Sequence, residues 1–229
     1  MSNWKDASRV SRYAGISILL GGALFVTATL MHPPATDPWT GHQVISMIPD
    51  MLTYWQWDHS LMLAAILLWL GGLSFGEPMA GRRPAAMMAA RLFIAAMTIW
   101  VLVLAMELTV LPVLAKEWDS VQDPGTAALG VRLFAFGIMA GDFAMMLAWI
   151  GVSLLGLALL AGSNIKPVMA WIGVAGGVWG AIGIPVALLL PKISVIIYPV
   201  TAGPVFIWTI IFGIYMITGR HQQEKTGDL

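Results

Sequence analysis

The chain has 229 residues, 59% of them apolar and 10% charged, whereas a soluble domain carries about 25% charged residues. That shortage excludes a secreted or cytosolic globule and a disordered chain. Twelve Lys+Arg balance twelve Asp+Glu, so the basic excess of a nucleic-acid binder is missing. The lack of cysteine removes disulfides, thiolate metal sites, iron–sulfur clusters and cysteine nucleophiles. What remains is an all-α, multi-pass integral membrane protein.

A bilayer-spanning helix needs about 20 mostly apolar residues, and six stretches qualify. The first covers about 13–32 and stops at Pro33-Pro34, because proline cannot continue a helix. The second covers about 58–77, opening at Asp58 as an N-cap and closing at Gly76-Glu77-Pro78. The third covers about 85–115. The fourth, about 124–161, is announced by Asp123-Pro124 and stops near Gly162-Ser163-Asn164. Unbroken, it would measure about 57 Å, so either its first two turns stand in water or it bends near Gly137 and Gly141. The fifth and sixth cover about 167–190 and 196–218. Gly173, Gly176, Gly177, Gly180 and Gly183 in the fifth, and Gly71, Gly72 and Gly76 at the end of the second, predict close helix approach. Pro185 and Pro204 predict kinks. No internal repeat supports an inverted-repeat transporter.

With both termini inside, nine of the twelve Lys and Arg fall on the inner side and only Lys116, Arg132 and Lys192 outside. This predicts cytoplasmic termini in a bacterial inner membrane. The first span exceeds the 7–15 residues of a signal-peptide core and is read as retained. The whole chain is then a single transmembrane domain with an outer loop over about 33–57. In that loop Val44, Ile45, Ile48, Met51 and Leu52 recur at helical spacing and predict an interfacial helix on the outer leaflet. Tyr54, Trp55 and Trp57 follow as an aromatic belt, with stacking of Trp55 and Trp57 on a bound cofactor as the second reading.

His32, His42 and His59 share the outer side; His221 lies in the cytoplasmic tail. The outer three either hydrogen-bond to headgroups, loop carbonyls and acids such as Asp37 and Asp58, or ligate a metal or haem. Glu107 and Asp142 lie inside hydrophobic spans, where an ionisable group costs about 2.5–3.5 kcal/mol even on lenient scales. One account pairs Glu107 with Arg132 and leaves Asp142 protonated or hydrogen-bonded to neighbours such as Thr109 or Trp100. The sharper account gathers His32, His59, Glu107 and Asp142 as ligands for iron, copper or zinc, with Arg132 and His42 as outer partners. The same groups would also serve as a proton relay. Fifteen methionines are expected to be lipid-facing filler.

His32-Pro33, a Trp-rich stretch, and His59 opening a Gly-Gly-containing second span, with Glu107 in the third and Arg132 in the fourth, together resemble a loose group of small multi-pass bacterial membrane proteins with no established activity. The resemblance covers about the first 160 residues and implies architecture and positions, not chemistry; Asp142 has no place in it. The expected function is therefore a metal- or haem-binding membrane protein, an oxidoreductase or a subunit of one, using iron, copper or haem. The alternatives are a proton-coupled small-molecule transporter and a non-catalytic subunit of a membrane complex. Its expected partners are the lipid bilayer and either another membrane protein or a second copy of the chain.

Overall fold

The computed structural model describes residues 4–33, 37–81, 83–161 and 165–218. Pro34, Arg82, the Gly162-Ser163-Asn164 stop and the tail with Arg220, His221 and Lys225 lie outside them. The described residues form helices without strands: α1 (Trp4–Met31), α2 (Gly41–Met47), α3 (Leu52–Leu73), α4 (Gly76–Met79), α5 (Pro84–Val121), α6 (Pro124–Leu160), α7 (Pro167–Leu189) and α8 (Ser194–Thr218). Short 3-10 turns sit at Pro38–Thr40 and Pro191–Ile193. The six long helices, α1, α3, α5, α6, α7 and α8, are apolar and long enough to cross a membrane. Each packs on the next, and α8 returns to α1, so the bundle is a closed ring.

Inside the ring, Ile18, Ile66, Trp69, Phe93, Leu104, Trp149, Leu155, Trp208 and Phe212 form the main core. Leu20, Leu67, Leu102, Phe136, Ile172 and Ile207 point outward and are exposed, as a lipid-facing surface requires. Glycine sets the spacing at several seams. A Cβ on Gly72 would lie 2.8 Å from the Ala14 carbonyl oxygen, and one on Gly173 would lie 2.6 Å from the Trp208 ring. Gly71 behaves differently, since nothing lies within 4 Å of it.

Two helix boundaries depart from the expected ones. α3 starts at Leu52, not Asp58, so Trp55, Asp58 and His59 share one helical face at i, i+3 and i+4. α5 runs on to Val121, past the expected stop near 115, and ends where Gln122 takes the left-handed conformation (φ 56°). The Asp123 carboxylate then accepts the Thr126 amide at 2.8 Å, capping α6 as its sequence predicts. α5 and α6 are continuous helices of 38 and 37 residues, about 56 Å each. The hairpin therefore overshoots a hydrocarbon core of about 30 Å, and Lys116, Glu117, Asp119, Gln122 and Asp123 at its tip are exposed.

The connection from α1 to α3 lies at the same end as the hairpin tip. Its helix α2 turns its apolar face onto protein. Val44, Ile45 and Ile48 are buried with Trp55, Leu111, Ala115 and Phe134, and Gly130 of α6 makes room for the Ile45 side chain. The apolar face of α2 is thus spent on α5 and α6, which closes this end of the ring over the polar residues below.

Candidate metal centre

Because α3 begins before its polar residues, their shared face turns into the ring. Asp58 and His59 are fully buried and Glu107 is 7% exposed. The Tyr54 hydroxyl donates to the Met31 carbonyl, fixing the end of α1 against α3 and bringing His32 over Asp58. His32 Nε2 lies 4.0 Å from Asp58 Oδ2. His59 Nδ1 lies 3.6 Å from the same oxygen, and His59 Nε2 lies 3.2 Å from Glu107 Oε2. One ligating atom from each of His32, Asp58 and His59 falls within 4.8 Å of the other two.

The hydrogen bonds select the tautomers. His59 Nδ1 lies 2.8 Å from the Trp55 carbonyl, and His32 Nδ1 lies 2.6 Å from the Pro33 carbonyl. A carbonyl only accepts, so both Nδ1 atoms carry a proton, and in the neutral ring each Nε2 presents a lone pair. The pattern of an imidazole held by a backbone carbonyl through its far nitrogen is common among metal-ligating histidines. Trp55 contributes twice more: its ring stacks on His59 at 4.1 Å, and its indole N–H donates to the Glu107 backbone carbonyl at 2.8 Å.

What the cluster lacks is internal compensation. Both Asp58 oxygens and His59 Nε2 are buried without a hydrogen-bond partner. The 3.2 Å approach of His59 to Glu107 brings the atoms close without aligning a hydrogen bond. Each orphaned polar atom costs about 1–3 kcal/mol, and more for a charged one. A divalent cation held among His32, Asp58 and His59, whose ligand atoms lie within 4.8 Å of one another, would supply a partner for such atoms. Two carboxylates and two neutral imidazoles also balance its charge to zero, which matters where a net charge is expensive.

The structure separates the other candidates from this group. Asp142 is buried on α6, but its carboxylate is held by the Tyr198 hydroxyl, 2.9 and 2.8 Å from its two oxygens. Neither Thr109 nor Trp100 is its partner: Thr109 bonds the Ala105 carbonyl on its own helix. The Glu107–Arg132 pair does not form among the described residues, since Arg132 is exposed and Glu107 turns to His59. His42 is exposed on α2, and Trp57 is 64% exposed on the opposite side of α3 from Trp55. Met87 and Met88 are exposed away from the cluster.

Asp58 and Tyr198 are the residues that sequence reasoning undervalued. Asp58 reads as a cap until α3 is seen to start earlier; its signal was the Asp-His pair three and four residues after a tryptophan. Tyr198 meets Asp142 across 56 positions of chain, and nothing local announces it. Since one hydroxyl serves two oxygens, Tyr198→Phe leaves a buried carboxylate without a donor. The expected loss is about 1–3 kcal/mol, measured as a lower unfolding midpoint in detergent, and Asp142→Leu in the same background should recover it.

In comparisons with protein-family models, curated proteins and solved structures, no family model, curated protein or solved structure matches the chain.

Proposed function

We propose that this protein is a metal-binding integral membrane protein whose centre holds one divalent transition-metal ion through His32 Nε2, Asp58, His59 Nε2 and Glu107. The observation that carries this reading is the set of buried polar atoms without partners, both Asp58 oxygens and His59 Nε2, within a cluster where one ligand atom from each of His32, Asp58 and His59 lies within 4.8 Å of the other two. A nitrogen and oxygen donor set without sulfur suits iron, copper(II) or zinc. With iron or copper, the centre belongs to an oxidoreductase or to a subunit of one. Haem fits poorly, because the His59 nitrogen it would need already faces a carboxylate at 3.2 Å and the ring is covered by Trp55.

A proton-coupled carrier is the second reading, favoured by the unbroken file His32, Asp58, His59, Glu107 at 4.0, 3.6 and 3.2 Å. Such a carrier needs a polar path to both faces. Among the described residues the buried acids and histidine are Asp58, His59, Glu107 and Asp142, all nearer the end that α2 covers. The opposite half is filled by Trp69, Phe93, Trp208 and Phe212. A one-sided polar pocket supports a resident centre over a conduit. With nine of the twelve Lys and Arg on the side of the termini, the reading places those termini in the cytoplasm of a bacterial cell and the centre on the opposite side of its inner membrane.

Elemental analysis and optical spectra of the protein purified in mild detergent test the proposal. Near-stoichiometric iron or copper supports it, and zinc supports the centre while removing the redox role. A folded preparation that neither contains nor takes up any of these ions overturns it.

A further inference from the structure

Gly137 and Gly141 stand about one turn apart on α6, and both are buried. The helix runs unbroken past them from Pro124 to Leu160, so neither glycine serves to interrupt it. Their surroundings differ. A Cβ on Gly141 would meet only the Trp100 ring, at 3.8 Å, which is ordinary contact. A Cβ on Gly137 would lie 2.8 Å from Met106 Cε and 3.2 Å from Glu107 Oε1. The methionine methyl ends a flexible chain and can swing aside. The carboxylate has less freedom.

Glu107 is fixed from two other directions. Its backbone carbonyl accepts the Trp55 indole N–H at 2.8 Å, so α5 is pinned to α3 at this residue. Its Oε2 lies 3.2 Å from His59 Nε2, while Oε1 rests against the bare face of Gly137. The two oxygens belong to one planar group, so displacing Oε1 moves Oε2 as well. A methyl on Gly137 would ask the carboxylate to give by a few tenths of an ångström. Metal–ligand distances hold within about 0.2 Å, so a displacement of that size matters at Oε2.

We propose that Gly137 is a positioning residue for Glu107: its missing side chain admits the carboxylate to the place from which Oε2 meets His59. That Glu107 then serves as a metal ligand rests on the reading above. The placement against His59 does not depend on it.

Gly137→Ala and Gly141→Ala in the full chain test it through two readouts. In metal-free protein, the nitrogen NMR resonances of the His59 imidazole should shift in Gly137→Ala and stay in place in Gly141→Ala. With copper(II) as the probe, Gly137→Ala should lose about tenfold or more in affinity, the scale of losing an outer-shell partner, and its electron paramagnetic resonance spectrum should change. Gly141→Ala should match the unaltered chain in both. A double-mutant cycle shows whether the effect runs through the carboxylate: in a Glu107→Ala background, Gly137→Ala has nothing to displace and should cost no further affinity. Should crowding against Met106 prevent folding, Gly137→Ala combined with Met106→Ala relieves the closer contact and carries the same test. Unmoved His59 resonances in Gly137→Ala overturn the proposal, and so does an equal loss with and without the Glu107 carboxylate. Moved resonances in a chain that takes up no copper uphold the placement and overturn only the metal reading.

Discussion

His59→Ala is expected to abolish metal retention while the six-helix bundle survives. His59 is the hinge of the cluster: Nδ1 is anchored to the Trp55 carbonyl, and Nε2 stands 3.2 Å from Glu107. Removing it deletes a ligand and disconnects Glu107 from the Asp58 side of the site. The loss should exceed the roughly 10–100-fold that deleting an outer-shell partner costs. Trp55→Phe supplies that comparison, since it keeps an aromatic face on His59 and loses the indole bond to the Glu107 carbonyl together with part of a buried ring. Asp58→Asn probes charge separately from shape, leaving a divalent ion with one carboxylate. Competition against a chromophoric chelator gives the three affinities, and circular dichroism reports the helices. If His59→Ala and Asp58→Asn hold metal as tightly as the unaltered chain, any bound ion lies elsewhere.

Gly177→Ala should be the most damaging single-methyl change in the bundle. A Cβ there would lie 2.5 Å from the Trp149 carbonyl oxygen and would also meet the Ser153 hydroxyl. That hydroxyl donates to the Val174 carbonyl at 3.1 Å and stitches α6 to α7. Backbone cannot yield as a flexible side-chain end can, so the helices must separate. Overpacking of this kind costs about 1–3 kcal/mol, and the lost interhelical bond adds to it. Gly71→Ala is the control. It meets open space, and alanine is the better helix former by up to about 1 kcal/mol. Thermal unfolding in detergent should rank Gly177→Ala well below the unaltered chain and Gly71→Ala level with it or above. Equal midpoints would mean the α6–α7 seam is looser than described.

Much of the scaffold was legible from local rules. Asp123-Pro124 announces the start of α6, and the Asp123 cap is made as expected. The fifth-span glycines foretell a close seam and build one. These signals work because a membrane helix must satisfy its own backbone and show lipid an apolar surface. Local rules failed where amphipathic residues had more than one place to go. Tyr54, Trp55 and Trp57 read as a belt, and Tyr54 and Trp57 are exposed, yet Trp55 is fully buried. The Val44-Ile45-Ile48 face was assigned to lipid and found α5 and α6. Apolar surface does not encode whether it will meet lipid or protein.

Composition, the lengths of the apolar runs, and their Pro, Gly and Asp punctuation sufficed to determine six membrane-crossing helices, because spanning hydrocarbon constrains each helix separately. Partner choice among the polar residues was decided only by the tertiary structure. Glu107 took His59 over Arg132, Asp142 took Tyr198, and Asp58 became the meeting point of two histidines. The physical reason is range: a span is selected by its own hydrophobicity, whereas a buried charge is stabilised only by atoms that ring closure brings within a few ångströms.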